Sequence, residues 1–186
     1  MQEQKNKNIH IISIGGSVMH DLAISLKRSG NNISGSDDII YNPSKSRLEK
    51  HGIFPKRLGY YKSNIDKGID LVITGMHTKK NNIELIEAKK KRIPIKSYPE
   101  YIRKLSENKH RVVIAGSHGK TTVTSMIMHV LKYNKVQFDY LIGAKVKGFE
   151  SNIKISDAPL IIIEGDEYLT SPIDKAPKFL KYEHHL

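Results

Sequence analysis

Val112-Val113-Ile114-Ala115-Gly116-Ser117-His118-Gly119-Lys120-Thr121-Thr122 runs from a β-branched apolar stretch through two glycines into Lys-Thr-Thr. Such a run predicts a strand over Arg111 to Ala115, a loop over Gly116–Gly119 and a helix over Lys120 to Tyr133. The same order stands once earlier in the chain. Ile9-His10-Ile11-Ile12-Ser13-Ile14 ends on Gly15-Gly16, and apolar residues then recur at helical spacing (Val18, Met19, Leu22, Ala23, Leu26). Further strands are expected at Ile33 to Asp37, Asp70 to Gly75, Ile93 to Lys96 and Leu160 to Ile163. Helices are expected at Pro43 to His51, Asn82 to Arg92 and Pro99 to Glu107. Strands alternating with helices imply βαβ units and a parallel sheet, an α/β fold. The polar stretch Ser106 to Lys109 marks the expected boundary between domains 1–108 and 109–186.

The 186 residues leave room for one large domain or somewhat more, at about 150 residues per domain. The 38% hydrophobic content and 13 glycines together approach the ~45% of an ordinary globular chain, so a core is expected. No run approaches the roughly 18 apolar residues of a membrane span, and Met1 to Asn8 is too polar to open a signal peptide. A cytoplasmic protein with no membrane partner is expected. The absence of cysteine excludes disulfides, zinc–thiolate sites and a thiol nucleophile within these residues. Lys and Arg number 31 against 19 Asp and Glu, a formal charge of +12 and a pI near 9.7. The lysines are spread along the chain and accompany abundant Asn and Ile, the signature of coding bias. The charge is therefore expected to help hold an anionic ligand, and no nucleic-acid partner is expected. The one tight basic run, Lys89-Lys90-Lys91-Arg92, reads as a solvated helix end.

The 112–122 stretch has the chemistry of a phosphate cradle. Glycines let backbone N–H groups curl around phosphate oxygens, and a helix N-terminus adds donors and a favourable dipole. Lys120 can neutralise β- and γ-phosphate charge, and the Thr121 hydroxyl can reach Mg²⁺. The generic motif has four residues between its glycines, whereas Gly116 and Gly119 enclose two. A second signal is Glu164-Gly165-Asp166-Glu167 directly after an apolar strand. Carboxylates at that end of a parallel strand share an edge with the loop, and Mg²⁺ needs only one or two of them. Glu164 is the expected metal contact. The third signal, Ser13-Ile14-Gly15-Gly16-Ser17-Val18-Met19-His20, departs from the dinucleotide motif because Ser17 and His20 replace its second and third glycines. Asp37 lies near the spacing of a ribose-binding acid. A phosphate at the first helix is expected, and NAD is disfavoured. His10 and His110 sit at strand starts and read as structural, while His118 lies inside the loop. The pair His184-His185 is too short to claim a metal site, and no Ser-His-Asp arrangement has positional support.

Gly116-Ser117-His118-Gly119-Lys120-Thr121-Thr122 resembles the shortened phosphate loop of the Mur ligases. Ile14-Gly15-Gly16-Ser17-Val18-Met19 with Gly35-Ser36-Asp37 resembles the UDP-binding domain of the UDP-N-acetylmuramate ligases within that family. The resemblance covers nearly the whole chain after residue 8. It implies a Rossmann-like parallel-sheet domain, then the start of a P-loop-type ATPase domain. It also implies a ligase reaction with ATP and Mg²⁺, in which a muramyl carboxylate is converted to an acyl phosphate and attacked by an amine. Carried over to these residues, Gly116, Ser117, His118, Gly119, Lys120, Thr121 and Thr122 would bind ATP, with Lys120 on the β/γ-phosphates. Thr121 and Glu164 would hold the metal, and Lys120 and Glu164 would be the catalytic pair. Gly15, Gly16, Ser17, Asp37 and His77 would face UDP-N-acetylmuramate. Tyr41-Asn42-Pro43-Ser44, Leu48 to Ile53 and Glu164-Gly165-Asp166-Glu167-Tyr168 resemble the muropeptide-recycling branch, whose amine is L-alanyl-γ-D-glutamyl-meso-diaminopimelate. The L-alanine-adding branch and a non-catalytic UDP-sugar-binding module are the alternatives. The family has a third domain and a longer central one, so these residues are expected to be an incomplete, inactive piece.

Overall fold

The computed structural model describes residues 6–75 and 78–165. These fall into two compact units, the first running to Tyr98 and the second starting at Pro99.

The first unit opens with β1 (Asn8–Ile12), α1 (Met19–Arg28), β2 (Asn32–Ser36) and α2 (Ser44–Lys50). A short 3₁₀ turn (Lys62–Asn64), β3 (Leu71–Thr74), α3 (Ile83–Lys90) and β4 (Ile95–Ser97) follow. The four strands form a parallel sheet in the order β2-β1-β3-β4. The order reverses between β1 and β3, so right-handed crossovers send α1 and α3 to opposite faces. Alternation along β1 feeds both layers. Ile12 packs with Val72, Leu85, Ala88 and Ile93 beside α3, while Ile9 and Ile11, also buried, point to the other face. Helix α1 buries every residue from Met19 to Leu26. Helix α3 starts where Asn82 accepts hydrogen bonds from the Glu84 and Leu85 N–H groups, a side-chain cap.

Helix α4 (Tyr98–Leu105) spans the division between the units, a few residues before the position 108/109 expected from the charged stretch. The second unit continues with β5 (His110–Ile114), α5 (Lys120–Tyr133), β6 (Phe138–Leu141), β7 (Ile153–Lys154) and β8 (Leu160–Glu164). Its sheet has the order β5-β8-β6-β7, parallel except for the β6–β7 pair. Met128 of α5 packs with Phe138, Tyr140, Ile142 and Ile162, and Phe149 meets the Tyr140 ring edge-on at 5.3 Å.

The structure differs from the sequence expectations in two instructive ways. Strand β1 stops at Ile12 rather than Ile14, because Ser13 takes a φ of +63° and turns the chain. Strands β6 and β7 were not anticipated. Asp139 interrupts the apolar run of β6 yet is fully buried, because Lys109 Nζ lies 2.7 Å from Oδ2 and the Ser156 hydroxyl donates to Oδ1 at 2.6 Å. A buried charge is tolerable when paired and hydrogen-bonded. Among the described residues no helix is long and apolar enough to cross a membrane.

Candidate functional site

Both glycine turns lie at the carboxyl ends of parallel strands, where open α/β sheets bind ligands. In the first unit Gly15, Gly16 and Ser17 link β1 to α1. The Asp37 carboxylate, just past β2, accepts the Gly15 N–H at 2.8 Å and the Asp38 N–H at 2.9 Å. Asp37 therefore fixes the shape of the glycine turn. Burial pushes its carboxyl above the usual value of 3.8, although the Gly15, Asp38 and Tyr60 hydrogen bonds pull the other way. Space is short here: a Cβ on Gly15 would lie 2.8 Å from Ile40 Cγ1 and 2.9 Å from Asp37 Oδ2.

Three hydroxyls gather beside this turn. The Tyr60 O–H donates to Asp37 Oδ1 at 3.3 Å, Ser13 Oγ lies 3.2 Å from the Tyr60 oxygen, and Thr78 Oγ1 lies 3.5 Å from Ser13 Oγ. Burial pushes the Tyr60 phenol up to about 12, so it stays a donor at neutral pH. On the other side of the turn, buried His20 meets the Gly16 carbonyl through Nδ1 at 2.9 Å and Arg47 through Nε2 at 2.9 Å. Arginine only donates, so Nε2 accepts and the ring proton sits on Nδ1, aimed at Gly16.

Beneath the site lies buried Glu84. Its carboxylate meets His10 Nε2 at 3.3 Å and accepts from the Ser36 hydroxyl, the Tyr61 N–H at 3.0 Å and Asn64 Nδ2 at 2.7 Å. Burial raises its pKa, but the bonds from His10, Ser36 and Tyr61 outweigh that, and the net direction is downward. The structural reading of His10 thus has a concrete partner set. A separate groove of about 760 Å³, with His10 and Ser34 among its lining residues, includes none of the predicted site residues.

In the second unit the loop Ala115–Gly119 is open. Gly116 takes φ +148° and Gly119 φ +76°, a left-handed residue at the start of α5. Ser117 and His118 are exposed, and so is Thr122, the third residue of the helix. Lys120 Nζ donates to the Gly116 carbonyl at 2.6 Å, so the ammonium lies over the loop. The Thr121 hydroxyl donates to Glu164 Oε1 at 2.6 Å, and the Gly143 N–H donates to Glu164 Oε2 at 2.8 Å. Parallel pairing of Ile114 with Glu164 brings these groups to one edge.

The loop, Lys120, Thr121 and Glu164 therefore converge, as do Gly15, Gly16, Ser17 and Asp37. His77, Asp166, Glu167, Tyr168 and His184-His185 lie outside the described residues. Tyr60 and Thr78 were not singled out from the sequence, whereas Ser13 opens the third glycine signal without a role of its own and Gly143 begins a stretch, Gly143 to Phe149, that the resemblance also covers. Gly143 had a signal, since it follows Tyr140-Leu141-Ile142 as Gly75 follows β3. Tyr60 had none, because its segment carries no periodicity. Among the described residues no group of three or more His, Asp or Glu gathers as a metal site. One hydroxyl and one carboxylate nevertheless suit Mg²⁺, which keeps several waters and takes oxygens from bound phosphates.

The pattern of the Mur ligase family, catalytic domain, matches residues 8–110. The UDP-N-acetylmuramate–L-alanine ligase of Syntrophomonas wolfei subsp. wolfei is 36% identical over 171 residues, 92% of this chain and 36% of that protein. The UDP-N-acetylmuramate–L-alanyl-γ-D-glutamyl-meso-2,6-diaminoheptandioate ligase of Haemophilus influenzae is 33% identical over 179 residues, 95% of this chain and 39% of that protein. The crystal structure of UDP-N-acetylmuramate:L-alanyl-γ-D-glutamyl-meso-diaminopimelate ligase from Neisseria meningitides superposes with a TM-score of 0.85 at 31% identity. It covers 95% of this chain and 58% of that one. The chain thus spans well under half the length of these two sequence relatives.

Proposed function

The chain belongs to the Mur ligase family, and on that premise we propose that it serves an ATP-dependent ligase joining an amine to UDP-N-acetylmuramate in peptidoglycan metabolism. The first unit holds the UDP-sugar and the second holds the triphosphate. The observation that carries this reading is the convergence of Thr121, Glu164 and the Gly143 N–H beside a loop with two glycines at positive φ.

In this reading the muramyl carboxylate takes the γ-phosphoryl group of ATP, and the amine then displaces phosphate from the acyl phosphate. Lys120, now on the Gly116 carbonyl, moves onto the β/γ-phosphates. Loop N–H groups hold the phosphate oxygens in fixed positions, so charge developing on the transferred group meets donors already in place. Thr121 and Glu164 would hold Mg²⁺, which supplies charge neutralisation. Gly16 and Ser17 would face the UDP diphosphate, and Asp37 would hold the turn that presents them.

The amine is the tripeptide L-alanyl-γ-D-glutamyl-meso-diaminopimelate on the strength of Tyr41 to Ser44 and Glu164 to Tyr168. L-alanine is the second reading, favoured by the higher identity to the ligase from Syntrophomonas wolfei.

Calorimetry with this chain tests the two-site division. UDP-N-acetylmuramate is expected to bind with or without MgATP. Lys120→Ala is expected to weaken MgATP by about 10- to 100-fold, the worth of a charge-assisted contact, and to leave the UDP-sugar unaffected. Parallel collapse of both affinities would defeat the division, and selective thermal stabilisation by NAD would replace the reading altogether.

A further inference from the structure

The first site contains a cluster of hydroxyls, centred on Tyr60, to which the sequence motifs give no role. Ser13, Tyr60 and Thr78 place three hydroxyls across the crevice between the ends of β1 and β3, where the strand order reverses. Their mutual distances, 3.2 and 3.5 Å, exceed the 2.7–2.8 Å of a good O–H···O bond, as does the 3.3 Å from Tyr60 to Asp37. These hydroxyls are loosely satisfied, so exchanging one another for a ligand oxygen costs little.

The fold holds Tyr60 from both sides. The Gly59 N–H donates to the Asp37 carbonyl at 2.7 Å, and the Tyr61 N–H donates to buried Glu84 at 3.0 Å. The Tyr60 ring packs against the core cluster of Ile12, Ile65 and Val72. A side chain fixed by its two neighbours and its ring, with a loosely bonded polar tip at a crevice, is a preorganised ligand contact. The Asp37 carboxylate behind it selects the partner. A phosphate beside that carboxylate would be repelled, whereas a sugar hydroxyl can donate to Asp37 and accept from Tyr60.

We propose that Tyr60, with Ser13, Thr78 and Asp37, forms a subsite for neutral sugar hydroxyls of the bound nucleotide-sugar, and that Tyr60 determines its selectivity. The diphosphate then falls to Gly16, Ser17 and the start of α1. The inference rests on the proposed UDP-sugar site. The hydroxyls could belong to the ribose or to the amino sugar, and the ligand series separates the two.

The test is calorimetry of the intact chain with UDP, 2′-deoxy-UDP and UDP-N-acetylmuramate, on the wild type, Tyr60→Phe and Ser13→Ala. Tyr60→Phe is expected to weaken UDP-N-acetylmuramate about 5- to 10-fold, the usual worth of one hydrogen bond. If the ribose is held, UDP weakens equally, and the wild-type preference for UDP over 2′-deoxy-UDP falls toward one. If the amino sugar is held, UDP is unaffected and only UDP-N-acetylmuramate weakens. A merely structural tyrosine would weaken all three ligands alike, and that result overturns the proposal, as does unchanged binding of all three. Ser13→Ala reads the same subsite if Tyr60→Phe fails to fold, with the same selective loss expected. Should the wild type bind none of these ligands, the UDP-sugar reading falls and the subsite with it.

Discussion

At the first glycine turn a Cβ on Gly15 would crowd Ile40 and Asp37, whereas a Cβ on Gly119 at the second turn would meet nothing within 4 Å, and there the obstacle is a φ of +76°. The helices that follow differ in the same sense. Helix α1 is buried from Met19 to Leu26, while α5 buries Thr124 and Met128 and exposes Val123, Met126, Val130 and Tyr133 along one face. The first turn is a packed joint whose geometry is set by side chains, namely Asp37, Tyr60 and His20. The second is an open loop whose geometry is set by backbone conformation. One order of residues, strand–glycine–helix, thus builds a side-chain-packed turn in one unit and an open, backbone-shaped loop in the other.

The harshest way to break this contrast is to remove the support of the first turn. Glu84→Ala would strand the donors now aimed at its carboxylate from Ser36, Tyr61 and Asn64. A broken buried charge network costs about 3–5 kcal/mol, read as a lower urea midpoint. The acid response carries the same information. The folded-state pKa of Glu84 lies below 4.5, so its contribution is complete above that value and is lost as pH falls through the lower folded pKa. Asp37 is shifted upward, so its ionised form opposes folding at neutral pH and the opposition is relieved on acidification. Urea midpoints followed downward through about pH 4 are therefore expected to fall less steeply in Glu84→Gln than in wild type, and more steeply in Asp37→Asn.

The alternation of strands and helices was legible because burial on both faces of a parallel sheet demands near-continuous apolar runs such as Leu71-Val72-Ile73, or Ile9 to Ile12 with His10 its one polar member. Strand β6 was not legible. Its Asp139 is made compatible with burial by Lys109 and Ser156, residues 30 and 17 positions away. The glycine loops announced themselves through local composition, and so did Asp37. What Asp37 does was hidden, since its bond to the Gly15 N–H depends on the pairing of β1 with β2. Tyr60 was hidden for the same reason: its position is dictated by Asp37 and Glu84, both more than 20 residues away.

A milder test exchanges the two glycines' reasons. Gly15→Ala is expected to cost about 1–3 kcal/mol by overpacking. Gly119→Ala is expected to cost about 1–2 kcal/mol through its left-handed backbone. Asparagine tells them apart, because it tolerates that backbone but occupies more space. Gly119→Asn should recover most of the loss, and Gly15→Asn should deepen it. Thermal midpoints of the four variants decide the matter, and an equal response at both turns would erase the distinction drawn between them.

The smallest expected effect is the sharpest test of the open cradle. Thr121→Val keeps the β-branched shape and removes the hydroxyl that donates to Glu164 at 2.6 Å. The bond is only half-buried, so stability should change by less than about 1 kcal/mol. MgATP affinity should fall several-fold, and Thr121→Ser should restore it. UDP-N-acetylmuramate binding should be unchanged in both variants. If the valine variant instead lost stability and kept its MgATP affinity, Thr121–Glu164 would be a structural tie of the same kind as Asp37–Gly15. The second turn would then be another packed joint, with its geometry fixed in advance rather than by the nucleotide.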